Sequence, residues 1–144
     1  MPIRVPTSSN DEGETLVELL MAVAIMGIAV VAIVGGIATT ILMSDVHRKQ
    51  ATAGAYVRNY AEAVEGYVAD GGFDASSPDY SPKAIGFTAL PNGFVGSSSV
   101  RCWDSGGMHF SGCSSSCTVQ QVTVKIASSD LRASETLLVT VRKP

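Results

Sequence analysis

The order of apolar and polar positions divides the chain into three stretches with different periods. The first is continuous. From Leu19 to Met43 the sequence holds no Asp, Glu, Lys, Arg or His. A bilayer takes about 20 residues of helix, so this run predicts a membrane-inserted helix. It is too long for the apolar core of a secretory signal peptide, which spans roughly 7–15 residues. It also exceeds most helices buried in soluble proteins. The second stretch is striped. Val46, Ala53, Tyr56, Val57, Tyr60, Ala63, Val64, Tyr67 and Val68 recur at spacings of three and four, the period of one helical face. Arg48, Lys49, Arg58, Asn59, Glu62 and Glu65 fall mostly outside the stripe and predict a solvated face. No Pro interrupts Ser44–Asp70, and Gly71-Gly72 supplies a stop signal. One helix is therefore expected over residues 14–70, roughly 85 Å long at 1.5 Å per residue. About 30 Å of that fills a hydrocarbon core, and the remainder projects from the membrane.

The third stretch changes period from three and four to two. Residues 73–97 are rich in Pro, Gly and Ser and read as a loop with at most one short strand. Three strands are predicted after it: Ser98–Asp104, Thr118–Ala127 and Glu135–Arg142. Val100 and Cys102 share a face in the first. Val122, Val124 and Ile126 do so in the second, and Leu137, Val139 and Val141 in the third. Such alternation suits an antiparallel sheet with one buried face. The residues Ser128–Ser134 supply the turn between the last two strands. The predicted class is α+β. The tyrosine–valine stripe of the helix covers the Val/Ile/Leu face of the sheet, since a sheet face needs a covering layer.

Composition sharpens this division. The 144 residues carry a net charge of -3, only 16% are charged, and mean hydropathy is +0.26. Ordinary soluble domains are about 25% charged, and the apolar run accounts for the difference. The basic residues never cluster beyond pairs, Arg48-Lys49 and Arg142-Lys143, which argues against a nucleic-acid-binding surface. The remaining hundred or so residues suffice for a small core.

The junction before the apolar run reads Asp11-Glu12-Gly13-Glu14-Thr15-Leu16-Val17-Glu18-Leu19-Leu20. Glu18 is anomalous there. A carboxylate at the centre of a membrane helix costs roughly 2.5–3.5 kcal/mol on insertion scales, and less at the edge. It either stays hydrated at the interface or meets an opposite charge in an assembly. Gly13, the following Glu14–Glu18 and the long apolar run together resemble the prepilin cleavage and methylation motif. The family concerned is that of type IV pilins, minor pilins and type II secretion pseudopilins. The resemblance covers residues 11–43.

It implies a leader over residues 1–13, a transmembrane and filament-core helix over 14–43, an amphipathic continuation over 44–70 and a C-terminal sheet domain over 71–144. It implies a pilin-like form of the α+β plan. It also implies that a prepilin peptidase cuts between Gly13 and Glu14, with methylation of the new amino terminus. Glu18, at the fifth mature position, would pair with the new amine of a neighbouring subunit. Opposite charges in a low dielectric attract strongly, and pairing offsets the cost of leaving either one alone. Gly27 and Gly35 fall where some assembled pili unwind the helix, and small residues also serve close helix packing. The partners so implied are the membrane, the peptidase and other pilin or pseudopilin subunits, with no cofactor and no nucleic acid. The implied location is the cell membrane, as a single-pass protein with its C-terminal domain outside the cytoplasm, and then a surface filament. Two features depart from the family pattern. Glu14 stands where Phe or another apolar residue is usual. The leader's single Arg4 faces Asp11 and Glu12, while Arg48-Lys49 follow the run, so the charge count does not favour a cytoplasmic N-terminus. A rival reading is a single-pass membrane protein that does not polymerise and binds a partner through a small extracytoplasmic domain.

Candidate chemistry elsewhere is sparse. Three cysteines, Cys102, Cys113 and Cys117, follow the apolar run. An odd count allows at most one internal disulfide, and all three pairings remain open. Closing a loop of this size gains roughly 3 kcal/mol. With His109 they number four potential metal ligands, but the spacing matches no common zinc module, and no metal is expected. Asp104-Ser105-Gly106-Gly107 reads as a turn rather than a nucleophile site. No phosphate-binding glycine motif occurs. Nothing nominates an enzyme.

Overall fold

The computed structural model describes residues 11–144 except Ala89, and for residues 11–15 it describes the backbone alone. The rest of the expected leader, residues 1–10, lies outside the described residues. Contacts divide the chain into two compact units, one ending at Met43 and the other spanning Ser44–Pro144.

Helix α1 runs over Asp11–Tyr67. It begins three residues earlier than the sequence predicted, so the last part of the expected leader is helical in backbone. Its C-terminus is where the glycines place it. A wider, π-type turn over Val68–Gly72 ends the helix, and Gly71 takes φ 93, a left-handed conformation that only glycine adopts without a Cβ penalty.

The second unit is built on an antiparallel sheet of four strands in the order β2-β1-β3-β4. The strands are β1 (Phe94–Asp104), β2 (His109–Ser111), β3 (Val119–Ser128) and β4 (Ser134–Arg142). Central β3 pairs with β1 from Phe94↔Ser128 to Cys102↔Gln120, and with β4 from Val119↔Arg142 to Ala127↔Ser134. The expected long-helix-plus-small-sheet layout is thus the observed one.

Two strand boundaries differ from expectation. β1 starts four residues early because its inward positions include Gly96 and Ser98, which carry no apolar signal. A Cβ on Gly96 would sit 2.8 Å from Pro82 Cγ and 3.2 Å from Ile126 Cδ1. Glycine is required there for the loop to approach the sheet. β2 was not predicted. It holds only three residues, paired across the Asp104–His109 end of β1, too short to display a period. The turn before it is the Asp-Ser-Gly-Gly segment, closed by Gly106 N–H donating to Asp104 Oδ1 at 3.0 Å.

The core lies between the sheet and the part of α1 belonging to the second unit. Ala53, Val57, Tyr60, Ala61, Val64 and Val68 pack against Val122, Val124, Ile126, Val139 and Val141. All five of those strand residues face inward, as the alternation predicted. Leu137, expected on that face with Val139 and Val141, instead remains exposed nearer the start of β4, as does Leu138. Tyr67, expected in the stripe, is on its margin, while Ala61, outside the expected stripe, is buried. Lys49 departs from the solvated-face expectation. Its Nζ donates to Asp130 Oδ2 at 2.6 Å and lies 2.9 Å from Asp45 Oδ2. It ties the helix to the β3–β4 turn, and the ammonium holds both carboxyls below the usual carboxylate range.

A chain of buried polar groups fastens the 73–93 loop over the core. Tyr60 Oη donates to Tyr80 O, Tyr80 Oη donates to Gln120 Oε1, and Gln120 Nε2 donates to Asp74 O, each at 2.6 Å. Tyr60 also stacks on Phe87 with ring centroids 5.2 Å apart. Burial pushes the Tyr80 hydroxyl up to about 12, aided by Tyr67 and Asp74, and burial raises Tyr60 as well. A raised tyrosine pKa contributes stability that is fully present below the unfolded value, near 10, and lost as pH climbs toward 12. Alkaline titration of the full chain in detergent should therefore show unfolding between about pH 10 and 12, with tyrosinate absorbance rising in step. Tyr80→Phe leaves Gln120 Oε1 without its donor and should cost about 1–3 kcal/mol in denaturant unfolding. Ile126→Ala should cost about 2–5 kcal/mol, whereas Leu131→Ala, on a side chain 85% exposed, should stay within about 0.5 kcal/mol.

Candidate functional site

Two sites emerge, one in each unit. The first is the helical segment up to Met43. Every side chain from Leu16 to Met43 is exposed. Its most apolar window has a mean hydropathy of 2.7 and is 0% buried within the protein. A soluble core helix would be covered by its own fold. This helix is long and apolar enough to cross a membrane, as a single-pass protein requires, and nothing in its own unit covers it.

On that surface Glu18 is an exposed carboxylate among apolar neighbours. Gly13 and Glu14 lie in the helical backbone of α1, and the side chains of residues 11–15 are outside the described set. Gly27, Gly35 and Gly36 have open space where a Cβ would be, with nothing within 4 Å. Among the described residues, no contact demands glycine at these positions.

The Gly35–Thr40 stretch has a further property that the sequence reading missed. Thr39 Oγ1 donates to Gly35 O at 3.2 Å and to Gly36 O at 2.8 Å, and Thr40 Oγ1 donates to Gly36 O at 2.8 Å. Hydroxyls that bond back onto helix carbonyls satisfy themselves in an apolar medium and locally weaken or bend the helix. The signal was legible: two threonines placed three and four residues after a glycine pair.

The second site is the cysteine cluster. Cys102 comes from the inward face near the end of β1, and Cys113 and Cys117 from the loop between β2 and β3. Their three sulfurs lie within 4.8 Å of one another. Cys102 faces both partners, with Cα–Cα separations of 4.9 Å to Cys113 and 5.8 Å to Cys117. Either bridge fits, and one sulfur makes one disulfide. The structure therefore presents two alternative bridges that share Cys102, each leaving a thiol over. Cys102 and Cys117 are buried and Cys113 is half-buried. His109 is not part of the cluster; it is exposed and its Nδ1 lies 3.0 Å from Gly107 O.

The cluster sits against the polar chain described above. Cys102 and Gln120 are paired across β1 and β3, and they address adjacent loop carbonyls. Gln120 Nε2 donates to Asp74 O, while Cys102 Sγ lies 3.9 Å from Ala75 O. Trp103 and Phe110 close the outer side of the hairpin with edge-to-face rings 5.1 Å apart.

No family model, no curated protein and no solved structure matches this chain.

The open space at the glycines generates a clear expectation. Replacing both Gly35 and Gly36 by Ala adds helix propensity of about 1 kcal/mol per position and meets no atom of the chain. Helix content and unfolding of the second unit should be unchanged when the full chain in micelles is followed by circular dichroism. A shifted unfolding midpoint would show that these positions act on the sheet domain.

Proposed function

We propose that the chain is a prepilin-like structural subunit, processed after Gly13 and polymerised through its N-terminal helix into a type IV pilus or pseudopilus. One observation carries this reading. A single carboxylate, Glu18, stands five residues after Gly13 on a helix that is otherwise uncharged, and exposed, over Leu16–Met43. A monomer in lipid gains nothing from that charge. An assembly gains a partner for it, because cleavage creates an ammonium at Glu14 in the same low-dielectric zone. Head-to-tail packing of identical or homologous helices does not close on itself and extends as a filament.

The remaining features support the same plan. Exposed glycines with nothing nearby suit close packing against other helices. A small sheet domain with its own core would stay on the outside and form the filament surface. A cysteine bridge suits a domain exported from the cytoplasm. This reading places the protein first in the cell membrane and then in a surface filament.

The test is the N-terminus of the protein from its own cells. Peptide mass spectrometry of a sheared-surface fraction should find chains that begin at Glu14, and their mass shows whether that residue is methylated. Glu18→Ala should leave membrane insertion intact and reduce the sheared fraction at least tenfold. Chains that keep Met1 and occur only in membranes would instead establish the non-polymerising single-pass reading.

A further inference from the structure

We propose that the three cysteines form a thiol–disulfide exchange site in which Cys102 is the shared sulfur and Cys113 is the outlet to solvent. The proposal concerns the sheet domain alone and stands whether or not the chain polymerises. Three observations support it. All three sulfurs share one cluster within 4.8 Å. The backbone brings both loop cysteines to Cα separations from Cys102, 4.9 and 5.8 Å, inside the span that bridges require, about 4.4–6.8 Å. The two loop cysteines differ in exposure, with Cys117 only 3% exposed and Cys113 half-buried.

The exchange is internally balanced. With Cys102 bonded to Cys117, the Cys113 thiol gives its proton to water and its thiolate attacks Cys102 Sγ. The Cys102–Cys113 bond forms as the Cys102–Cys117 bond breaks, and Cys117 leaves as a thiolate that takes a proton from water. One disulfide and one thiol stand on each side, so no oxidant or reductant is consumed.

The two forms differ in what the outside can reach. With Cys102–Cys113 closed, the thiol is Cys117, buried with its Sγ 3.4 Å from Val119 O. With Cys102–Cys117 closed, the thiol is Cys113, on a serine-rich loop. A polar cavity of about 400 Å³ is lined by Cys102 and by Gly112 and Ser114, the two chain neighbours of Cys113, so a small polar disulfide has room beside that loop. Attack of the Cys113 thiolate on such a disulfide yields a mixed disulfide at Cys113 and releases one small thiolate. Exchange thus decides whether the domain offers a reactive thiol or hides it.

The test maps thiols in the full chain, purified in detergent without reductant. One portion is denatured in acid, which freezes exchange, and then labelled with N-ethylmaleimide near pH 6. Chymotryptic peptides separate Cys102 from the other two, and fragment spectra distinguish Cys113 from Cys117. The expected result is one label per chain, divided between Cys113 and Cys117, with none on Cys102. A second portion is labelled while folded at pH 8. There the label should accumulate on Cys113 to one per chain, as exchange refills the reachable form. The variants Cys113→Ser and Cys117→Ser should each close the remaining bridge to Cys102. Acid-quenched label confined to one cysteine would establish a fixed bridge and overturn the proposal. So would label on Cys102, or three labels per chain, which would mean no bridge or a metal-held trithiol. Equal labelling of Cys117 and Cys113 in the folded chain would remove Cys113 as the outlet.

Discussion

The sheet has one apolar face, and it cannot cover that face itself. Four strands in the order β2-β1-β3-β4 turn Val122, Val124, Ile126, Val139 and Val141 to the same side. The Ala53–Val68 face of α1 lies opposite. Each layer leaves the other wet if removed, so the helix stripe and the strand alternation are one constraint seen from two sides. The stripe is narrow because the sheet is small. Tyr60 and Val64, on consecutive turns, are completely buried, whereas Tyr67 reaches the rim.

That arrangement leaves a gap over the end of β1 and β3, which the irregular 73–93 segment fills. A loop laid over a core carries peptide groups that need partners. Tyr60, Tyr80 and Gln120 supply them in series, and no described buried side-chain nitrogen or oxygen is left without a partner. Each member positions the next, so the position of Asp74 depends on the helix as well as on β3. The cysteine cluster inherits this precision, because Cys102 neighbours Gln120 across the strands and shares its loop.

Periodicity made much of this legible before any coordinates. The apolar run, most of the stripe from Ala53 to Val68 and the inward positions of Val122, Val124, Ile126, Val139 and Val141 follow from spacing alone, whereas Leu137 and Tyr67, of the expected faces, stay exposed. What escaped has specific causes. Gln120 shares the register of Val122 and Val124, but it is polar, so its full burial carried no signal in the hydrophobic pattern. The early inward positions of β1 include Gly96 and Ser98, which carry no apolar signal, and Gly96 makes room for Pro82 and Leu90. Lys49 belongs to the charged face by sequence, and only the fold brings Asp130 to it from 81 residues away. The convergence of three cysteines was equally invisible, since spacing shows that bridges are possible and not that two of them compete. For the helical site the sequence carried nearly everything, because its meaning lies in which residues are charged or small. The hydroxyls of Thr39 and Thr40 were the part left unread, although their spacing from Gly36 was there to see.

The order of elements along the chain also has a consequence for synthesis. Helix α1 leaves the ribosome before β3 and β4, which cover its stripe. At a translation rate of about 5–20 residues per second, the apolar face of α1 waits on the order of several seconds for its partners. During that interval the nascent chain carries an unpaired hydrophobic ridge next to a segment suited to lipid. In that interval the helix is complete and the sheet does not yet exist. The domain closes only when Val139 and Val141 arrive beside β3. Truncation of even the last strand would leave that ridge permanently open to chaperones and proteases.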